Sequence, residues 1–259
     1  MSASRCSSTS QLFIFSAAIV AAAALNSPQA CRAQYAPNMP GKNNYTVSVR
    51  DLRMGGKGQK AFDRGSQLLE KGDSAGSIAY LDRAIAEYPD HYKAYYNLGV
   101  AHYRLGHIAE AEQAFQKSID LTEGTFAPPE FGMGMILCQR SEFQQAEAVI
   151  ERGLEREPGS ANGKYFLAWA QYGLNRLIEA ERSVRQALLR NAKIAEAYLL
   201  LARIHQRQHN SYAMSKDLQS YLAVSPNGPD SAQAKALLER TQNGIDHAQV
   251  TVLYPLLIP

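Results

Sequence analysis

Cysteine is scarce in this chain. Three occur in 259 residues, and they cannot form an internal disulfide framework. Cys6 and Cys31 lie in or beside the N-terminal segment, and Cys138 is alone in the body. An excess of one charge is also missing. Lys and Arg number 27 against 24 Asp and Glu, which supplies no concentrated basic face for nucleic acid. The apolar run Leu12 to Leu25 has 14 residues, short of the roughly 20 that cross a bilayer as a helix. Zinc-protease HExxH spacing and paired Cys-x-x-Cys spacing are absent. The cluster Gly55-Gly56-Lys57-Gly58 lacks both the GxxxxGK[ST] spacing of a phosphate loop and a preceding strand. These absences remove disulfide scaffolds, nucleic-acid binders and the commonest metal and phosphate chemistries.

The first residues have the order of a secretory leader. Arg5 gives a positive start, Leu12 to Leu25 an uncharged apolar stretch, and Pro28-Gln29-Ala30 a break before small residues. Residues 1–33 are assigned as a signal peptide, cleaved after Ala33; cleavage after Ala30, or an uncleaved anchor, are the other readings. The chain is therefore expected to be exported, to a periplasm or extracellular space, most simply a bacterial envelope. Lipid anchoring at Cys31 is disfavoured, because Pro28 stands where the lipoprotein pattern needs an aliphatic residue. Removing Arg5 and Arg32 with the leader leaves 25 basic against 24 acidic side chains. Residues 34–57 are polar and rich in Pro, Gly and Asn, and read as a flexible linker.

What the chain has in abundance is a repeat. From Gly58 to Pro226 the same residue types return every 34 or 35 positions. Five registers begin at Gly58, Tyr92, Ala127, Ala161 and Ala195, giving units 58–91, 92–126, 127–160, 161–194 and 195–228. Position eight reads Gly65, Gly99, Gly134, Ala168, Ala202, and position twenty reads Ser77, Ala111, Ala146, Ala180, Met214. Position twenty-four reads Leu81, Phe115, Ile150, Val184, Leu218, and position twenty-eight reads Ile85, Ile119, Leu154, Leu188, Leu222. Each unit divides into two helical stretches around Gly72-Asp73, Gly106-His107, Ser141-Glu142, Asn175-Arg176 or His209-Asn210. Pro89, Pro158 and Pro226 stop the second helix in three units. Small side chains at eight and twenty are expected to face each other within a helix pair. Positions twenty-four and twenty-eight, one turn apart, are expected to bury against the neighbouring unit. No single pair can bury such a face alone, so the units must stack.

These columns resemble the tetratricopeptide repeat (TPR) family, whose pattern runs W-x2-L-G-x2-Y, then A-x3-F, then P. The second unit matches best, with Tyr95 in the Trp position, Leu98-Gly99, Ala111 and Phe115. Arg64, Glu123 and Ala192 depart from the pattern, and Met214 and Tyr221 replace small residues in the fifth unit, which reads as the terminal one. The resemblance implies an all-α helical-hairpin solenoid, a right-handed superhelix. A last helix is expected within 229–243, capped by Asp230 or Ser231, to cover the open end.

By the same resemblance, positions five, nine and twelve of the first helices line a concave groove. The candidate binding residues there are Phe62, Tyr96, Tyr103, Phe131, Met135, Tyr165, Trp169, Tyr172 and Arg203, with Asn97 at position six of the second unit. Aromatic rings with polar tips suit a wet recognition surface. The family's Lys/Asn clamp for a C-terminal carboxylate is not expected: Phe62, Ser66, Pro128 and Gly132 occupy its other positions, and Asn97 alone matches. The expected partner is a protein or peptide with apolar or aromatic anchors, and the expected role a non-catalytic scaffold or adaptor in the envelope. The alternative is an assembly factor for outer-envelope or pilus components. An enzyme built on His205 and His209, at i and i+4, is the reading from a different class; no third ligand stands at a useful spacing, and Arg203 and Arg207 flank the pair. No metal, cofactor or catalytic residue is assigned. The tail 244–259 is apolar and broken by Pro255 and Pro259; its Val-Thr-Val alternation suits an extended segment that docks on the solenoid or on a partner, ahead of a membrane surface.

Overall fold

A computed structural model describes residues 56–242. The assigned leader, all but the end of the linker, and the apolar tail lie outside the described residues. Within them the chain forms eleven helices and no strand. They are α1 (Gly56–Glu70), α2 (Ser74–Glu87), α3 (Tyr92–Arg104), α4 (Ile108–Thr122), α5 (Pro128–Gln139), α6 (Phe143–Arg156), α7 (Ala161–Gly173), α8 (Leu177–Arg190), α9 (Ala195–Arg207), α10 (Ser211–Val224) and α11 (Ser231–Gln242). Five antiparallel pairs stack side by side, and α11 packs on α10 at the end. The linker's last residues, Gly56 and Lys57, already belong to α1.

The same turn joins the two helices of every pair. Gly72, Gly106, Ser141, Asn175 and His209 all take left-handed backbone, with φ of 85, 78, 61, 60 and 56°. Each donates its N–H to the carbonyl three residues back, and the next residue donates to the carbonyl five back, as in Asp73 to Leu68 at 2.9 Å and Arg176 to Gln171 at 2.9 Å. This closing pattern satisfies the last carbonyls of the first helix. Asp73 and Asn210 then cap the next helix, accepting from Gly76 N at 2.8 Å and Ala213 N at 3.0 Å. The second unit spans 35 residues because α4 ends in its own left-handed turn at Glu123 and Gly124, instead of at a proline. Phe126 of that longer loop turns inward against Tyr92 and Tyr96, at ring separations of 5.0 and 5.6 Å.

The packing of the columns corrects two expectations. Position eight does not chiefly face position twenty; it receives the side chain of position twenty-four from the paired helix. A Cβ on Gly65 would lie 2.9 Å from Leu81, on Gly99 2.6 Å from Phe115, and on Gly134 2.3 Å from Ile150. Position twenty is fully buried beside this contact, and the carbonyl of Ala146 lies 3.5 Å from the same point on Gly134. Position twenty-eight is only half-buried in four units. The buried column is twenty-seven: Ala84, Ser118, Gly153, Ala187 and Tyr221. It is small in the first four units, where it meets its own unit's first helix: Ser118 donates to Tyr92 O at 2.8 Å, and a Cβ on Gly153 would lie 2.6 Å from Phe131. In the fifth, Met214 and Tyr221 are large and buried with Ala234 and Leu237 of α11, which fills the space of a sixth pair.

A polar column adds to the stacking. Glu112, Glu147 and Glu181 share position twenty-one, and each reaches the next unit: to Arg140 at 2.5 Å, to Arg176, and to His205 Nε2 at 3.4 Å. Ser215 at the same position bonds Thr241 of α11 at 3.0 Å.

Two substitutions test this geometry. Gly134→Val forces Ile150 out of its place and is expected to lower unfolding free energy by about 1–3 kcal/mol in urea titration. Ser141→Gly relieves left-handed strain and is expected to raise stability by about 1 kcal/mol; a loss would contradict the turn geometry.

Candidate binding surface

The first helices touch one another from unit to unit (α1 with α3, α3 with α5, α5 with α7, α7 with α9), whereas the second helices make no comparable contacts among the described residues. The stack therefore bends with its first helices inside, and their free faces form its inner surface.

The inner surface is less open than the residue types suggest. Six of the ten candidates are buried: Tyr96, Tyr103, Phe131, Met135, Trp169 and Arg203. Phe62, Asn97, Tyr165 and Tyr172 are half-buried. The rings of the middle units are spent on stacking. Phe131 lies where a Cβ on Gly153 or Gly163 would meet it at 2.6 Å, so it wedges between the third and fourth units. Tyr96 packs on Phe126. Helix α5 is buried from Pro128 through Cys138, Glu130 included, and presents no free face. Burial pushes the Glu130 carboxyl up, against the pull of Arg156, which donates to it at 3.0 Å.

Polar contacts tie the surface together. Asn97, the one clamp match, donates to Ser66 Oγ at 2.9 Å, so the clamp position is engaged internally. Arg104 donates to Leu69 O at 2.7 Å, Gln139 to Tyr103 Oη at 2.6 Å, and Arg207 to Tyr172 O at 3.2 Å. These three donors all sit at position thirteen and reach position twelve of the preceding unit. Arg207 also lies over the Tyr172 ring, 3.9 Å from its centroid, a favourable cation–π approach. Burial, with the negative charge of Glu196 beside it, pushes the Tyr165 hydroxyl up, while Arg203 opposes the shift; burial pushes Glu196 up as well. Glu196 and Arg207 are not among the ten groove candidates read from sequence. Position thirteen, aligned like the others, carries the signal for Arg207.

The alternatives to a binding surface find little support. His205 and His209 do not converge: His209 is the exposed left-handed residue of the last turn, while His205 is buried between Asp217, 2.5 Å from Nδ1, and Glu181. Cys138 is buried with Sγ 4.0 Å from Phe166 O, and burial pushes its thiol up, away from a reactive thiolate. Gly72-Asp73-Ser74-Ala75-Gly76 has the literal G-x-S-x-G spacing of a nucleophile elbow. It joins two helices instead of a strand and a helix, Ser74 is buried, and Asp73 is occupied as a cap.

Family models agree with this architecture. One described as tetratricopeptide repeat matches residues 62–126. A second, the second ARM domain of tetratricopeptide repeat protein 21, matches 136–209. The TPR repeat-containing protein YvcD of Bacillus subtilis is 36% identical over 62 residues, which are 24% of this chain and 13% of YvcD. The chain thus matches only a small part of that relative's length. Among solved structures, TTC0263, a TPR protein of Thermus thermophilus, superimposes with TM-score 0.60 at 18% identity, covering 72% of this chain and 99% of that one. The type IV pilus biogenesis factor PilW superimposes with TM-score 0.64 at 13% identity, covering 76% and 91%.

The His205 pair sets a pH dependence. The hydrogen bond that His205 donates to Asp217 raises it above its ordinary 6.5, against burial, and the charges of Asp217 and Glu181 add to the rise. The stabilisation is therefore fully present below about pH 6.5 and is lost as pH rises through the raised value. The stability difference between the wild-type chain and His205→Gln is expected to shrink over that interval; a difference independent of pH would overturn the assignment.

Proposed function

The chain belongs to the tetratricopeptide repeat proteins, and from that premise we propose that it is a non-catalytic scaffold that holds a protein or peptide segment along its inner surface. The observation that carries this reading is the accessible edge of the fourth and fifth units. There Tyr172 is half-buried with Arg207 stacked on its ring, and Tyr165, half-buried on the same helix, has its hydroxyl enclosed beside Glu196. Rigid rings with polar tips, next to one cation and one carboxylate, can seat an apolar anchor and orient its flanking polar groups. The half-buried rings narrow the candidate contacts from the whole aromatic set to this edge, with Phe62 and Asn97 at the other end.

The place of action is the cell envelope, on the strength of the leader-like first 33 residues. Among the described residues no helix is long and apolar enough to cross a membrane. A role in assembling outer-envelope or pilus components is the narrower alternative. PilW shares the fold at 13% identity, and that likeness supports the architecture without selecting this role.

A photo-crosslinker at position 172 in living cells, followed by mass spectrometry, identifies the occupant. Tyr165→Ala and Tyr172→Ala are expected to weaken its binding roughly tenfold each, the effect of losing a moderate anchor. Circular dichroism should stay unchanged. Undiminished recovery by both folded variants would refute the inner-edge site. Mass measurement of the chain from fractionated cells tests export separately: a form lacking the first 33 residues in the envelope fraction is expected, and a full-length cytosolic form would overturn it.

A further inference from the structure

We propose that His102 and His107 form a zinc-class divalent-cation site at the turn of the second unit, with two imidazole nitrogens from the protein and water completing a tetrahedron. The two Nδ1 atoms stand 3.4 Å apart. With zinc–nitrogen bonds of about 2.0–2.1 Å and a tetrahedral angle, two ligand nitrogens lie about 3.3–3.4 Å apart. A right-angle site would bring them to roughly 2.9 Å, which is also the usual length of a direct hydrogen bond from a ring N–H. The separation matches a tetrahedral site, and at this distance the two rings also hydrogen-bond to each other directly. The rings are tilted by 45° with centroids 5.6 Å apart, so they do not stack.

The backbone holds this pair in place before any ion binds. His102 is in the last turn of α3 and His107 caps the start of α4. Gly106 between them takes φ 78°, and His107 donates its N–H to His102 O at 2.9 Å. That bond is the same one that closes every turn of the stack, so the spacing of the two rings comes with the fold. The ring of His102 is half-buried at the turn, beside the exposed His107. Asp82 of α2 and Glu110 of α4 lie close enough to act on the same ring, and their negative charge favours a cation there. The corresponding ring of the fifth unit, His205, has its Nδ1 taken by Asp217 and its turn closed by Asn210, so it offers no second nitrogen. No group of three or more His, Cys, Asp or Glu able to hold a metal occurs among the described residues. The site is accordingly an exchangeable one with an open, water-filled side.

The test is titration of the untagged chain with Zn2+ by calorimetry, and with Co2+ by its ligand-field absorption. One ion per chain and a tetrahedral Co2+ spectrum are expected. His102→Ala and His107→Ala should each weaken binding roughly tenfold or more, as loss of a ligand must exceed the effect of losing a ligand's support. His209→Ala, which alters an exposed histidine elsewhere, should leave it unchanged. His107 is exposed, so its variant should match the wild-type unfolding curve in EDTA. Absence of saturable Zn2+ binding, an octahedral Co2+ spectrum, or equal affinity in the His107→Ala chain would each overturn the site.

Discussion

Everything in this stack depends on how closely the two helices of a pair approach. Phe115 shows the constraint most clearly. Its ring lies where a Cβ on Gly99 would be 2.6 Å away, and on the other side where a Cβ on Gly132 would be 2.7 Å away. One aromatic ring thus locks its own pair and the next unit at once, and only glycine leaves it room. Leu81 against Gly65 and Ile150 against Gly134 repeat the contact at neighbouring levels. Without side-chain atoms at those glycines, the large partner behind each is enclosed on all sides, which is where apolar burial and dispersion gain most.

Charge refines what packing begins. The glutamates at position twenty-one sit next to the buried small residue at twenty, so each emerges at the seam between units. Arg140, Arg176 and His205 meet them from three different places in the following unit. The Arg140 and Glu112 side chains are 40% and 34% exposed, and such a pair contributes at most about 1 kcal/mol. Its value lies in fixing the rotation of one unit against the next. His205 is different, since it is buried and paired on both sides, and it makes the last internal seam sensitive to pH.

The inner surface shows the trade between stacking and recognition. An aromatic ring at position five can point into the groove or sideways into the next unit, and the neighbour decides. Where glycines at 153 and 163 leave a hollow, Phe131 fills it. Tyr165 and Tyr172 pack on the core and keep part of their surface open. The longer loop after α4 has the same effect, because Phe126 drops onto Tyr92 and Tyr96. Recognition is thereby confined to the stretches of the groove that the stack does not consume.

The period in the sequence carries five helical pairs, the place of each turn, the buried columns eight, twenty and twenty-four, and the enlarged last unit that takes a capping helix. These follow from local rules: helical spacing, left-handed turn residues and proline stops act over a few residues and repeat with the chain. What tertiary structure alone decided is which large side chain sits over which glycine, why twenty-seven and not twenty-eight is the buried column, and which aromatic rings remain accessible. A helix inside a solenoid has three neighbours, and residues about 100° apart on it can each be buried for a different reason. Composition at a position cannot separate those reasons; the distance to the facing backbone does.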